Sequence, residues 1–263
     1  MRELDLTFVR TGDEQHVFVE TGAADEAWLY KIPAAFGFIL PGDHPKRPRA
    51  KGPAWRWLVR APGGPRLFAI RARARNRRSY ERMLDVVEYM QAVGVGDTLL
   101  PCRVLRGARA VLRVDGGACT YVGPVLAQRR ADVFFDQTAG NLSRYDWSHF
   151  VAIQHRLWRH GVGFWFAREA LGPRSWALLD GRLCLGDTGA LTTDYRHVYE
   201  ALDPPSLDAR VRRQIGKSQP TDRAADYFAF VRREINRERL ERLWAAYTSR
   251  SVAATARASS GGQ

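Results

Sequence analysis

The chain has 263 residues, of which 45% are hydrophobic and eight are Trp, and its formal net charge is +13 at pH 7. These values indicate a globular protein with a real core, as one large domain or two lobes. No apolar run approaches the roughly 20 residues that a membrane-spanning helix needs, and the N-terminus lacks a signal core. Cys102, Cys119 and Cys184 are too few and too scattered for a zinc site or disulfide framework, so we expect a cytoplasmic protein.

Three strands are predicted at residues 4–10, 17–20 and 27–32, because apolar residues alternate there and polar turns separate the runs. Lys31 lies late in the third strand. Taken by itself, a lysine at this position is most simply a strand-end residue facing water.

The positive charge is concentrated between Lys46 and Arg78, where the sequence has twelve Lys or Arg residues and no Asp or Glu. Aromatic residues such as Trp57 and Phe68 lie among these arginines, a mixture that suits stacking on bases or contact with a membrane surface. We therefore predict an anionic partner for this segment: a phosphorylated sugar, a lipid headgroup or a nucleic acid. A soluble basic face without a partner is the alternative.

A helix is predicted from Ser79 to about Val93, with Glu81 and Glu88 seven residues apart on one face. Acidic residues on a helix usually meet water, which is the simplest interpretation of both. Further strands are predicted at residues 99–104, 110–114 and 119–122, followed by a helix that ends at Gly161.

Two short apolar runs, 176–179 and 183–185, flank Asp180-Gly181, which is the strongest short-range signal for a β-hairpin. The second run ends at Asp187, which lies between Gly186 and the Thr-Gly pair that follows. Glycine beside an acidic residue at a strand end lets the backbone turn sharply and leaves room for a ligand. An ordinary turn is the alternative. A long helix is predicted from residue 221 or 222 to about 247.

The order of these elements resembles the protein-kinase-like superfamily, nearest its lipopolysaccharide and sugar kinase branch. There, a catalytic loop with Leu-x-Pro leads into a hairpin and an Asp-Phe-Gly motif; here Leu171 and Pro173 lead into the hairpin and Asp187-Thr188-Gly189. The resemblance implies an α+β bilobal fold with a small antiparallel-sheet N-terminal lobe and a mainly helical C-terminal lobe. These lobes are assigned to residues 1–122, including the basic segment, and 125–248. The small polar residues at 249–263 predict a disordered tail.

The resemblance also implies a site that holds ATP and Mg²⁺. Lys31 would meet the phosphates as a point charge, and Glu81 would pair with it, with Glu88 as the alternative. Asp187 would hold the magnesium ion.

The sequence departs from the family pattern at two positions, Ala170 and Ser175, where the catalytic Asp and a metal-binding Asn are expected. Glu169 is the candidate to accept the hydroxyl proton in place of the missing Asp. Three hypotheses follow. The first is an ATP-dependent phosphotransferase acting on an anionic sugar or lipid headgroup. The second is a pseudokinase, a binding or scaffolding module without phosphoryl transfer. The third is a basic binder of nucleic acid or of a membrane surface, peripheral to the membrane in the latter case.

Overall fold

The structure is a computed structural model that describes residues 2–11, 15–23, 27–33, 74–114, 117–134, 147–165, 175–202 and 221–260. The chain divides into two compact units. The first comprises Met1–Asp85 and Pro101–Arg130, and the second comprises Val86–Leu100 and Ala131–Gln263.

Five strands of the first unit close into a barrel. Their order around the barrel is β1-β2-β3-β5-β4. They are β1 (Arg2–Thr11), β2 (Gln15–Glu20), β3 (Trp28–Pro33), β4 (Cys102–Val114) and β5 (Gly117–Arg129). Neighbouring strands run antiparallel except β1 and β4, which pair in parallel with Leu4 opposite Ala110.

The barrel interior is filled by side chains from alternate positions of the strands, as the two-residue period of a strand requires. On β4 the small residue Ala110 pairs with the larger Leu4 on β1 and with Tyr121 on β5. The buried residues of this core are Leu4, Leu6, Phe18, Tyr30, Ile32, Ala108, Ala110, Leu112, Tyr121, Val125 and Ala127.

The prediction of a protein-kinase-like bilobal fold is wrong. That fold requires a small antiparallel-sheet lobe, whereas here the parallel pairing of β1 with β4 closes the sheet into a barrel. Closure removes the unpaired edges that β1 and β4 would otherwise present. The register of β4 against β5 shifts between Leu105 and Ala108, a bulge of the kind that bends a strand. The second unit also contains strands, so it is not a simple helical lobe.

Helix α1 (Ala74–Ala92) begins five residues before the predicted start at Ser79. In the first unit Tyr80, Met83 and Leu84 are almost fully buried, at the i, i+3, i+4 spacing of one helical face. The Nε2 amide of Gln15 on β2 lies 2.9 Å from the sulfur of Met83, so this face packs on the outer wall of the barrel.

The second unit combines short strands with helices. The strands are β6 (Val133–Phe134), β7 (Gly163–Phe164), β8 (Trp176–Leu179), β9 (Arg182–Leu185) and β10 (Leu191–Thr192). Strands β6, β8 and β9 form one sheet, while β7 pairs with β10. The helices are α2 (Trp147–Trp158), α3 (Tyr195–Ala201), α4 (Thr221–Glu234) and α5 (Arg237–Ser260).

The β8–β9 hairpin is confirmed. Asp180 and Gly181 form its two-residue turn with φ of 51° and 71°, the left-handed pair that a type I′ turn requires. The hairpin packs through Trp176, whose ring centroid lies 5.1 Å from that of Phe150 on α2. The two-residue turn therefore fixes the register of the hairpin, and with it the position of Asp187, which follows β9.

The C-terminal helix differs from its prediction in two ways. It is interrupted at Asn236, and its second part, α5, continues to Ser260, so the prediction of a disordered tail from residue 249 is wrong for residues 249–260. The amide Nδ2 of Asn236 donates to the carbonyl of Arg233, and its Oδ1 accepts from the N–H of Arg239. One side chain thus caps the end of α4 and the start of α5.

Candidate functional site

Lys31 lies on β3 with its side chain on the outer wall of the barrel. Its ammonium donates to Oε1 of Gln128 over 2.5 Å, and Gln128 is only 1% exposed. Gln128 lies opposite Cys102 in the β4–β5 register. Burial raises the pKa of the Cys102 thiol to about 11, opposed by the nearby Lys31 ammonium, so the thiol is neutral at physiological pH.

Tyr80 fixes α1 against the same strand. Its hydroxyl donates to the carbonyl of Lys31 over 2.7 Å and accepts from the N–H of Leu126 at 3.1 Å. Lys31 and Leu126 are opposite each other in the β3–β5 register, so one phenol bridges two strands and a helix. Burial raises the pKa of Tyr80 far above its ordinary range, and the group stays a phenol. Glu81 follows directly on α1, so the helical turn that carries it lies beside β3.

Asp187 lies in a tight turn that follows β9 in the second unit. It is exposed, whereas Gly186 before it and Thr188 after it are buried. Its Oδ1 accepts a hydrogen bond from the N–H of Gly189 at 3.0 Å, which orients the carboxylate. The backbone N–H of Gly186 donates to the carbonyl of Ser175 over 2.7 Å, which ties the start of the turn to the start of β8.

Two buried hydroxyl groups flank this turn. Ser175 is 0% exposed and Thr188 is 1% exposed. Within the ranges that the structure describes, neither hydroxyl oxygen has a hydrogen-bond partner. A buried polar group without a partner costs free energy. The Asp187 turn is therefore polar on its buried side and acidic on its exposed side.

Hydrogen bonds from residues outside the hairpin hold the strand that precedes Asp187. Asp97 lies in a 3-10 turn (Gly96–Thr98), and its carboxylate accepts from Arg156 on α2 at 2.8 Å. The hydrogen bond from Arg156 lowers the pKa of Asp97, so it stays ionised. Arg182 on β9 donates to the backbone carbonyl of Asp97. The β9 strand also accepts at Leu185 from the N–H of Leu100.

The predicted site residues fall into three groups. Lys31 and Glu81 lie in the first unit. There the Tyr80 hydroxyl joins α1, which carries Glu81, to β3, which carries Lys31. Glu88 and Asp187 lie in the second unit. Glu169 lies outside the described residues. Ala170 and residues 46–73 of the basic segment lie outside them as well, and for residues 74–78 only the helical backbone is described.

Tyr80 and Gln128 both help to position Lys31. Neither residue was singled out from the sequence. Gln128 is a polar residue that directly follows the buried Val125, Leu126 and Ala127. A polar side chain in such a strand needs a buried partner, and that signal was available. For Tyr80 no comparable local signal exists, because its partners are 46 and 49 residues away along the chain.

Metal clusters and membrane-spanning helices among the described residues, and matches to known proteins, were each sought without success. In the described part of the chain, no group of three or more His, Cys, Asp and Glu side chains is arranged to hold a metal ion. No helix there is long and apolar enough to cross a membrane. The sequence matches no model of a known protein family, and it matches no curated protein.

Proposed function

We propose that this protein binds magnesium-complexed ATP, with Asp187 as a ligand of the metal ion and Lys31 as a contact of the phosphates. The observation that carries the proposal is the turn after β9, which holds one exposed carboxylate in a fixed orientation. Mg²⁺ in nucleotide sites is commonly bound by one or two carboxylates, with substrate phosphates and water completing its shell. A single oriented aspartate therefore fits this chemistry, although it would not make a metal site of protein ligands alone.

The surroundings of Lys31 support its part in the proposal. Its ammonium is held by a buried neutral amide on a closed barrel, so its position is defined before a ligand binds. A positioned point charge is what phosphate oxygens require of a lysine. Lys31 would balance only one negative charge of the phosphates, and a bound magnesium ion would neutralise part of the rest.

Replacing Asp187 by Asn tests the metal ligand at constant shape. We expect the affinity for ATP in the presence of Mg²⁺ to fall by at least about tenfold, because a neutral amide is a poor magnesium ligand. Isothermal titration calorimetry of the full chain measures it. The matched control is Asp180→Asn in the β8–β9 turn, which makes the same chemical change and suits a positive φ. Equal affinities for the two variants would remove Asp187 from the proposal.

Replacing Lys31 by Met tests the phosphate contact. Because this change also leaves the amide of Gln128 without its donor, a second variant, Lys31→Arg, retains a donor for that amide. We expect the methionine variant to lose stability and ATP affinity, and the arginine variant to recover stability more than affinity. Unchanged ATP affinity in the methionine variant would remove Lys31 from the proposal.

Phosphoryl transfer to an anionic sugar or lipid headgroup is the activity proposed beyond binding. Glu169 is the proposed acceptor of the hydroxyl proton. With a phosphorylated hexose or phosphatidylinositol vesicles as acceptor, we expect label from γ-³²P-ATP to appear in the product. We expect Glu169→Gln to slow transfer while ATP affinity stays unchanged. Transfer at an unaltered rate in Glu169→Gln would exclude this role.

Binding without transfer is the second candidate, and the burial of Ser175 favours it. This residue stands where the resemblance implied a metal-binding Asn, yet it is 0% exposed. A side chain so enclosed does not reach a ligand bound at the surface. If ATP binds with dependence on Asp187 and no acceptor is labelled, the protein is a nucleotide-binding module.

A further inference from the structure

The end of the barrel where β1 begins carries an unusual set of side chains. The strand pairs show which strand ends lie together: β1, β3 and β4 begin at this end of the barrel, and β2 and β5 end there. Every strand therefore supplies its last residue on the inward side at the same end. These five residues, which we call the arginine mouth, are Arg2, Glu20, Trp28, Arg103 and Arg129.

The inward assignment follows from the alternation of each strand. Arg2 is two residues from the buried Leu4, and Glu20 is two from Phe18. Trp28 is two from Tyr30. Arg129 is two from Ala127, and Arg103 is two from Leu105, which packs against the same core. The core residues named in this comparison all belong to the barrel interior or its partly buried margin. A period of two then directs the five end residues to the axis of the barrel.

Direct contacts agree with this assignment. The Cζ atom of Arg103 lies 4.9 Å from the centroid of the Trp28 ring, so the guanidinium stacks on the indole. The hydroxyl of Tyr30, inside the barrel, donates to Oε2 of Glu20 at 3.0 Å. Burial raises the pKa of Tyr30, and both Arg2 and Arg103 oppose that rise, as cations close to the hydroxyl do.

Three arginines that converge on one opening repel each other, and one glutamate balances only part of their charge. The five residues carry a net charge of +2, from three arginines and one glutamate. The connection from β2 to β3 also contains Asp25 and Glu26, which lie outside the described residues, so this count is for the arginine mouth alone. A converging positive charge at the mouth of a barrel is an arrangement that an anion stabilises.

The geometry points to the arginine mouth as a binding site for a phosphate monoester. Such a group carries a charge of about −1.5 to −2 at pH 7, which matches the +2 of the mouth. Arginine offers planar N–H pairs that suit phosphate oxygens, and stacking on Trp28 keeps the edge of the Arg103 guanidinium directed away from the ring. This site lies at inward positions at the end of the barrel, whereas Lys31 is on the outer wall, so it is separate from the proposed nucleotide contact.

Two sources supply this chemistry, a soluble sugar phosphate and a phosphatidic acid headgroup. Glucose 6-phosphate against glucose tests the first source by calorimetry. Vesicles of phosphatidylcholine with and without phosphatidic acid test the second by co-sedimentation. Binding in either arm that depends on the phosphate supports the site and names the source. Absence of binding in both arms for the folded wild-type protein overturns the inference.

Variants separate this site from general attraction by positive charge. We expect Arg103→Gln and Arg129→Gln each to weaken binding of the probe by about tenfold or more, since each removes a charge-assisted hydrogen bond. The matched control is Arg109→Gln. Arg109 is exposed on β4 with the opposite register, opposite Val122, and we expect a change below about twofold. An equal loss in the control would overturn the site.

A variant that is expected to bind the probe more tightly completes the test, because a folding defect would weaken binding and would not strengthen it. Glu20→Gln removes the one carboxylate of the mouth and keeps an acceptor for the Tyr30 hydroxyl. We expect it to tighten binding of the probe by about threefold to tenfold. A folded Glu20→Gln protein with unchanged or weaker affinity contradicts the inference. The probes of the arginine mouth contain no nucleotide, so failure of the nucleotide proposal leaves this one standing.

Discussion

Replacing Tyr80 by Phe removes one oxygen atom from the joint between α1, β3 and β5. The side chain is 2% exposed, so water does not replace the hydroxyl without entering the protein. The hydroxyl donates to the carbonyl of Lys31 and accepts from the N–H of Leu126, so two backbone groups lose a partner at once. The aromatic ring remains, so the loss of packing is small.

The expected cost is about 2–4 kcal/mol in the free energy of unfolding. A net contribution of roughly 1 kcal/mol for each of two hydrogen bonds sets the lower value. The upper value applies if the N–H of Leu126 stays buried without an acceptor, because that desolvation is then unrecovered. We also expect weaker ATP binding, since the same hydroxyl fixes the backbone that carries Lys31.

Urea unfolding followed by far-ultraviolet circular dichroism measures the change in stability. The matched control is Tyr89→Phe on the same helix. The Tyr89 hydroxyl is partly exposed; it lies 2.8 Å from the carbonyl of His160, to which it donates, and 3.1 Å from the hydroxyl of Tyr247. Water can solvate the carbonyl that this change leaves, so we expect about 0.5–1.5 kcal/mol. A cost for Tyr80→Phe below about 0.5 kcal/mol, or equal to that of the control, would refute the bridging role of Tyr80.

Three further predictions concern the backbone and pH. Gly161→Ala should lower the melting temperature more than Gly181→Ala. Both glycines have positive φ, but only at Gly161 would a Cβ lie 2.5 Å from a tyrosine ring of α5. Asn236→Ala should cost about 1 kcal/mol in urea unfolding, as loss of a helix cap does. In acid titrations, Asp97→Asn should flatten the fall in stability: Arg156 lowers the pKa of Asp97, so its stabilising effect exists above the unfolded-state pKa and is lost as pH falls.

Local chemistry made parts of the fold predictable. The β8–β9 hairpin follows from Asp180-Gly181, because few other dipeptides adopt two successive positive φ values. The three N-terminal strands follow from alternation, and all three are present. The interruption at Asn236 was missed, although an Asn inside a helical pattern is a plausible cap for both flanking segments. Helical periodicity on either side hid it, since the apolar stripe resumes after the break.

The closure of the barrel was beyond any local pattern. It depends on the pairing of β1 with β4, whose residues are more than 100 positions apart, as with Leu4 and Ala110. Both strands alternate as strands in an open sheet do, so their sequences fit either arrangement. Resemblance to a family then supplied the topology, and it supplied the wrong one. The roles given to Lys31 and Asp187 came from the same resemblance, and they stay predictions.

Closure also decides what the arginines at the strand ends can do. In an open sheet, Arg2, Arg103 and Arg129 would lie along one face, roughly a strand spacing of 5 Å or more apart, and each would be solvated separately. A closed barrel turns the same inward positions toward one axis, so their charges converge and their repulsion grows as the distances shrink. A chain that maintains such an arrangement without a ligand loses stability by it, whereas a bound dianion reverses the sign of the effect. The salt dependence of stability is therefore informative: without ligand, added salt should stabilise the barrel by screening the arginines, and Glu20→Gln should enlarge that response.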